Sequence, residues 1–141
     1  MEAAIVLPLL ILFLAAPLFL ARVFWYYDVA QKAAHDGARF LSSVSRMEIQ
    51  ASSGGAEPGV SSLAKAIAEA ELAEIKPVLV GSSVTPQCDY AACNGLAVPQ
   101  TVRVAMQIRV RDDILGFITN EFFGEDGFLL TAAVTMRYAG N

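Results

Sequence analysis

Residues 3–21 read AAIVLPLLILFLAAPLFLA and contain no charged or strongly polar side chain. As an α-helix this stretch would be ~28 Å long at ~1.5 Å per residue, which matches the ~30 Å hydrocarbon core of a bilayer. Arg22 follows directly, where its guanidinium can reach the lipid headgroups. The sequence therefore predicts a single membrane-spanning helix near the N-terminal end of the chain.

Aromatic residues follow the apolar stretch. Phe24, Trp25, Tyr26 and Tyr27 are side chains of the kind that lies at the membrane–water interface. We predict that residues 1–27 form the anchor with this aromatic belt, in contact with membrane lipid. A cleaved secretory signal fits less well, because the apolar stretch is longer than an h-region and no small-x-small cleavage site closes it.

Three residues of the predicted anchor are unusual in an apolar helix. Glu2 places a carboxylate at the membrane edge, where it must reach the interface or pair with a cation. Pro8 and Pro17 each remove a backbone donor and crowd the carbonyl four residues back. Both prolines are predicted kinks, which membrane helices tolerate.

Helical periodicity continues beyond the anchor, and residues 28–50 are predicted to extend the same helix outside the membrane. Small residues recur on one face of this extension, a pattern that lets another backbone approach closely. They are Ala30, Ala34, Gly37 and Ala38. This face is predicted to pack on the chain's own sheet or, alternatively, on helices of other subunits.

Residues 51–141 are predicted to form a small α+β domain. Gly, Ser and Pro break the chain over 51–60, and a second helix is predicted to begin at Ser61 or Ser62, reach about Lys76 and stop at Pro77. Alternating apolar and polar residues predict strands over 78–85, 101–111 and 128–138. Such one-sided strands are typical of an antiparallel sheet covered on one face. The predicted fold class is α+β, with the long helix packed on a small antiparallel sheet.

Two cysteines, Cys88 and Cys93, are predicted to form a disulfide within the 51–141 domain, with free thiols as the alternative. With only one histidine in the chain they cannot complete a zinc site, and their spacing differs from the CxxC of redox catalysts. A stable disulfide indicates the periplasm or the cell exterior. The positive-inside rule favours the opposite orientation, because Arg22 and Lys32 follow the span; we give the cysteines more weight.

Segment 112–127 is rich in large apolar residues and too long for a simple hairpin loop. It is predicted to form a short helix under the sheet. Alternatively, it exposes an apolar patch in which Phe117, Phe122 and Phe123 contact a neighbouring subunit.

Motifs for chemistry are missing from the sequence. It contains no nucleophile elbow, Walker A loop, HExxH or dinucleotide fingerprint. A net charge of −4 without a basic run argues against nucleic acid as a partner. We therefore predict a non-enzymatic protein without metal, cofactor or nucleic-acid partner.

The N-terminal segment resembles the TadE-like proteins, minor pseudopilins of the Tad (Flp-type) pilus system. The resemblance depends on Glu2, Leu7-Pro8, the aromatic run 24–27 and Asp36-Gly37-Ala38-Arg39, with a looser pattern over 130–139. It implies a pilin-like fold and a minor pilin or pseudopilin that acts in assembly or tip priming of the pilus for surface adherence.

The resemblance also implies partners and a location. Other pilin and pseudopilin subunits would be the partners, and prepilin peptidase would cut the precursor shortly before Glu2. That glutamate would neutralise the N-terminal amine of a neighbouring subunit. The chain would cross the bacterial inner membrane once, with its C-terminal domain in the periplasm or incorporated into an extracellular pilus. The alternative is a bitopic periplasmic binding or sensor module with a permanent anchor.

Overall fold

The structure is a computed structural model that describes residues 3–51, 59–93, 97–111 and 127–140. Within these ranges the chain forms helices first and a sheet afterwards. In order, the elements are α1 (Ala3–Ser43), α2 (Arg46–Ala51), α3 (Gly59–Glu71), a 3₁₀ helix (Leu72–Val78), β1 (Leu79–Cys88), β2 (Ala91–Ala92), β3 (Thr101–Val110) and β4 (Phe128–Arg137).

The four described strands form one antiparallel sheet in the order β2-β1-β3-β4. Strand β3 is central and pairs along its length with both β1 and β4, so that Val110 lies between Leu79 and Phe128. Alternate side chains of β3 point to opposite faces, as in any strand. Those on the inner face are fully buried: Val102, Val104, Met106, Ile108 and Val110.

Helices α1 and α3 cover the inner face of the sheet. The buried core joins residues of both helices and of the 3₁₀ helix to the inner faces of β1, β3 and β4. Leu41 of α1 and Ile75 of the 3₁₀ helix are among its fully buried large side chains. The opposite face of the sheet carries exposed polar residues such as Gln107 and Thr131. The predicted α+β fold is confirmed.

Helix α1 ends earlier than the sequence pattern indicates. It was expected to reach about residue 50, but it ends at Ser43, and the short α2 starts at Arg46. Ser45 and Glu48 form a capping box: the Ser45 hydroxyl oxygen accepts from the Glu48 N–H at 3.3 Å, and a Glu48 carboxylate oxygen accepts from the Ser45 N–H at 3.2 Å. This reciprocal pair starts a new helix and ends the long one.

The second predicted helix is divided into two parts. Helix α3 ends at Glu71, and the chain continues as the 3₁₀ helix through Pro77 before β1 begins at Leu79. Proline has no N–H to donate, so few hydrogen bonds are lost when the α-helical pattern gives way to a short 3₁₀ helix that ends next to Pro77. Strand β1 then runs to Cys88, beyond the predicted end at residue 85.

Candidate membrane anchor and assembly surface

The first half of α1 presents apolar side chains to its surroundings rather than to the domain. Phe13 is 73% exposed and Leu10 61%, and the described side chains of Leu9, Ile11, Leu14 and Leu18 are similarly exposed. A continuous apolar surface of this kind marks a membrane or protein contact. By length and composition α1 could cross a membrane.

Both anchor prolines lie inside a continuous helix. Helix α1 runs from Ala3 to Ser43 through Pro8 and Pro17, and its 41 residues span about 60 Å at ~1.5 Å per residue. Pro17 is exposed. A role for these prolines as bending points stays a prediction.

The domain makes contact with α1 inside the segment predicted as anchor. The ring of Phe19 lies edge-to-face on that of Phe128, at the start of β4, with centroids 5.9 Å apart. Tyr26 is only 3% exposed and belongs to the domain core. Contacts between α1 and the domain therefore begin within the segment predicted as the anchor.

The aromatic belt is divided between the core and the surface. Phe24 and Trp25 are exposed, whereas Tyr26, which was predicted to lie at the membrane–water interface, is buried in the domain core. Helical geometry explains the difference: Tyr26 shares a face with Val29 and Ala30, which pack under the sheet. Two other residues were predicted to lie at the membrane interface. Tyr27 is exposed, and its hydroxyl oxygen accepts a hydrogen bond from the Gln31 side-chain amide at 2.7 Å. Arg22 is half-buried.

The small residues of α1 lie at its crossing with α3. Gly37 is buried so closely that a Cβ atom would be 3.3 Å from the Ala64 carbonyl oxygen and 3.5 Å from both Ala68 and Val104. Neighbouring positions on the same face are fully buried in the core: Ala30, Ala33, Ala34 and Ala38. In this structure the small-residue face is occupied by the chain's own α3 and sheet.

An ion pair adds to this contact at the surface. The Lys32 ammonium lies 3.0 Å from a carboxylate oxygen of Glu71, at the end of α3. Both side chains are solvated, so the pair contributes little to stability. Glu69 and Glu74 are also exposed, as expected for a solvated helix face.

The far end of α1 is held by the C-terminal residues. The Ala139 N–H donates to the Ser42 carbonyl at 3.0 Å, and the Tyr138 hydroxyl donates to the Val44 carbonyl at 2.7 Å. The Arg46 guanidinium in turn donates to the Gly140 carbonyl at 3.4 Å. These contacts, which we call the C-terminal clasp, satisfy carbonyls that the end of a helix leaves without partners. Sequence patterns gave no sign of them.

A disulfide closes the hairpin at the same end of the domain. Cys88 and Cys93 are bonded, with their Cα atoms 4.8 Å apart, which confirms the predicted pairing. Between β1 and β2, Asp89 and Tyr90 both have positive φ, at 50° and 65°. Positive φ at both central residues is the requirement of a type I′ turn, the hairpin turn that suits twisted strands.

Asp89 ties this hairpin to the start of β3. Its carboxylate accepts from the Thr101 N–H at 2.8 Å, the Gln100 N–H at 3.1 Å and the Thr101 hydroxyl at 3.0 Å. The hydrogen bonds from Thr101 and Gln100 favour the ionised form and hold the pKa of Asp89 below its ordinary value. A carboxylate in this position orders both its own turn and the strand opposite.

The Asp89 network predicts a loss of stability in acid. Because the folded pKa is lowered, the stabilisation is present above the unfolded value of about 3.9 and is lost as the pH falls through the folded pKa. In Asp89→Asn the urea-unfolding midpoint should change less between about pH 6 and about pH 3 than in the wild type. If the midpoints of the two proteins change equally with pH, groups other than Asp89 cause the loss of stability in acid.

Several predicted site residues lie outside the described residues. They are Glu2 and the apolar candidates Phe117, Phe122 and Phe123, together with the rest of segment 112–126. Within the described ranges, no group of three or more His, Cys, Asp or Glu residues is placed to hold a metal ion.

Comparisons with known proteins bear on the N-terminal part of the chain. No curated protein and no solved structure matches the sequence. One family model does match, and the match covers the predicted anchor and the part of α1 that continues to Arg39. Residues 1–39 match the TadE-like protein family, which confirms the resemblance predicted from the sequence.

Proposed function

We propose that this chain is a non-enzymatic minor pilin or pseudopilin that acts in assembly or tip priming of a Tad pilus used for surface adherence. The observation that carries the proposal is the match of residues 1–39 to the TadE-like family, which implies involvement in the Tad pilus. The matched segment coincides with a helix whose first half projects beyond the domain. A projecting apolar helix attached to a compact domain suits a subunit that moves from a membrane into a helical bundle.

The proposal places α1 across the bacterial inner membrane and the domain in the periplasm. The Cys88–Cys93 disulfide supports this orientation, because disulfides persist in oxidising compartments. Partners would be other pilin and pseudopilin subunits, and prepilin peptidase would act on the precursor. The domain would leave the membrane only when α1 enters the filament.

Glu2 is the residue on which the assembly mechanism depends in this proposal. A carboxylate next to an apolar span is costly unless a cation compensates it. The N-terminal amine of a neighbouring subunit would supply that cation. Breaking a buried charge pair by removing one partner costs about 3–5 kcal/mol, so the contact would select correctly seated subunits.

The test is a chromosomal Glu2→Ala substitution, compared with deletion of the gene and with Glu69→Ala as a control. Glu69 is exposed on α3, away from the anchor. We expect deletion to abolish piliation, and Glu2→Ala to reduce sheared pili at least about tenfold at an unchanged protein level. Glu69→Ala should assemble normally. Normal piliation in the deletion strain would contradict the proposed function, and normal piliation in Glu2→Ala alone would contradict the role of Glu2.

A further inference from the structure

The sheet has one end beside the apolar half of α1 and one end far from it. The Phe19–Phe128 ring contact places the start of β4 beside that half of the helix. The bond from the Tyr138 hydroxyl to the Val44 carbonyl places the end of β4 at the far end of α1. The β1–β2 hairpin lies at this far end as well, because the end of β1 pairs with the start of β3. We call it the distal end of the domain.

Tyr90 is held in the hairpin turn in a backbone conformation that bulky residues rarely adopt. Its φ is 65°, and it is 67% exposed. Positive φ is costly for a residue with a large side chain, so other contacts must hold the turn. The Cys88–Cys93 disulfide and the hydrogen bonds accepted by Asp89 supply them. The ring is therefore presented to solvent in a fixed position, which lowers the entropy lost when a ligand binds.

An arginine lies against this ring. The guanidinium carbon of Arg103 is 5.7 Å from the centroid of the Tyr90 ring, within the range of a cation–π contact. Its Nε is buried and has no hydrogen-bond acceptor within the part of the chain that the structure describes. Tyr90 thus combines an exposed aromatic surface with a positive charge beside it.

A second arginine is close to this pair on the outer face of the sheet. Thr101 lies opposite Arg137 and Arg103 lies opposite Thr135, so the two arginines are diagonal neighbours about 7–8 Å apart. Arg137 is exposed and lines a cavity of about 760 Å³ at the distal end. Small-molecule sites have volumes of about 300–1,000 Å³. The other walls of the cavity include Arg46, Val98 and Pro99.

Carboxylates of the described residues do not neutralise these two arginines. Arg103 and Arg137 form no ion pair within residues 3–51, 59–93, 97–111 and 127–140. Asp89 accepts hydrogen bonds from the start of β3, and Glu48 accepts from the Ser45 hydroxyl at 2.8 Å. Both carboxylates are engaged in local hydrogen bonds. The distal end therefore offers positive charge to a ligand.

Chain length separates Arg137 from the acidic residues between β3 and β4. Segment 112–126 carries five of them, and it leaves β3 and enters β4 at the opposite end of the sheet. Glu121 is the one farthest along the chain from a described residue, and six residues of fully extended chain before Gly127 span about 21 Å. Arg137 ends β4, about 33 Å beyond Gly127 at ~3.3 Å per residue. Even an extended chain leaves the Glu121 Cα about 12 Å short of Arg137.

Backbone groups at the distal end are already paired with one another. The Tyr138 N–H donates to the Gln100 carbonyl and the Asp89 N–H to the Thr101 carbonyl, both at 2.9 Å. The Gln100 and Thr101 N–H groups donate to the Asp89 carboxylate. A peptide that adds to a sheet as a strand needs unpaired backbone donors and acceptors. Recognition by an aromatic ring and arginine side chains favours a saccharide over a peptide strand.

We propose that the distal end binds a uronate-containing polysaccharide, with a sugar ring stacked on Tyr90 and a sugar carboxylate held by Arg137 at the cavity. The C–H groups on one face of a sugar ring pack on the apolar face of an aromatic ring. The guanidinium fork of arginine matches the two oxygens of a carboxylate. Arg103 adds positive charge beside the stacked sugar. The inference rests on the proposed function for its purpose, because it names a ligand class for surface adherence.

The experiment is calorimetric titration of the purified full chain in a polyoxyethylene detergent, which carries no sugar headgroup. The probes are tetramers of galacturonate and of mannuronate, the methyl ester of the galacturonate tetramer, and tetraglutamate. We expect at least one uronate tetramer to bind. We expect the uncharged ester and tetraglutamate to bind at least about tenfold more weakly, because the first lacks the carboxylates and the second lacks the sugar ring.

Two variants remove the ring and the charge separately, each with a matched control. Tyr90→Asn removes the ring but suits the turn, since asparagine tolerates positive φ, and Arg137→Gln removes the charge of an exposed side chain. Each should weaken uronate binding about tenfold. Tyr90→Phe keeps the ring, and Arg39→Gln changes an exposed arginine of α1; both should bind like the wild type. Near-UV circular dichroism checks that each variant is folded.

The remaining outcomes would overturn the inference in distinct ways. If neither uronate tetramer binds, the distal end is not a site for this class of saccharide. Equal binding of the methyl ester would exclude recognition of the carboxylate, and equal binding of tetraglutamate would assign the site to an acidic protein segment. Wild-type affinity in both Tyr90→Asn and Arg137→Gln would place the bound saccharide elsewhere on the chain. Piliation of the deletion strain tests the proposed function separately from all of these results.

Discussion

Replacing Gly140 by alanine is expected to lower the free energy of unfolding by about 2 kcal/mol. Gly140 is buried, and a Cβ at this position would collide with the Val44 carbonyl oxygen and the Tyr138 hydroxyl. These two atoms are themselves joined by the 2.7 Å hydrogen bond of the C-terminal clasp. The methyl group therefore has no space unless the clasp opens.

Opening the clasp would break three hydrogen bonds. These bonds run from the Tyr138 hydroxyl to Val44, from the Ala139 N–H to Ser42 and from Arg46 to the Gly140 carbonyl. Each bond contributes about 1 kcal/mol net. Loss of all three bonds would amount to about 3 kcal/mol, so the expected loss of about 2 kcal/mol corresponds to breaking most of the clasp.

The measurement is urea unfolding of the full chain in mild detergent, followed by near-UV circular dichroism. A loss of about 2 kcal/mol corresponds to a midpoint lower by about 1 M urea. Gly81→Ala is the matched control, because a Cβ at Gly81 meets nothing within 4 Å. If Gly140→Ala unfolds at the same urea concentration as this control, the clasp does not contribute to stability.

The sheet could be predicted because its signal is local. Apart from Ala105, strand β3 alternates apolar and polar residues, and a pairing shifted by one residue would move its large apolar side chains to the outer face. The pattern is weaker in β4, where Ala132 is buried and Thr131 is exposed but the apolar Leu129 is exposed as well. The disulfide was also predictable, since the chain has only two cysteines and they are close in sequence.

Other features depend on contacts that sequence periodicity does not contain. The C-terminal clasp joins residues that are far apart in the chain, such as Val44 and Tyr138. The end of α1 did have a local signal, the Ser45…Glu48 capping box, but the longer helical pattern obscured it. Tyr26 was assigned to the membrane interface by its residue type, whereas its position on the helix places it in the core.

The second large effect is expected at Gly37, where the anchor helix packs closely on the domain. Gly37→Leu should lower the free energy of unfolding by about 3 kcal/mol. Gly37 faces Ala64 and Ala68 of α3 on one side and Val104 of β3 on the other. A leucine side chain would have to push α1 away from both.

The smaller substitution Gly37→Ala tests the same packing contact. Its Cβ would lie 3.3 Å from the Ala64 carbonyl oxygen, so a shift of a few tenths of an ångström is enough to accept it. Alanine is also favoured over glycine in a helix interior by about 1 kcal/mol. The steric cost of the Ala64 contact and the higher helix propensity of alanine oppose each other, so we expect the free energy of unfolding to change little.

Urea unfolding of the two variants, with Ala66→Leu as a control, tests this packing. Ala66 is exposed on α3 and can accept a leucine without displacing a neighbour. Near-wild-type stability of Gly37→Leu would mean that α1 and α3 can separate at little cost. The small residues of α1 would then be available to helices of other subunits, and the interpretation of this face as a contact within the chain would be wrong. A large loss in Gly37→Leu, with Ala66→Leu unchanged, would show that the domain itself requires this close approach.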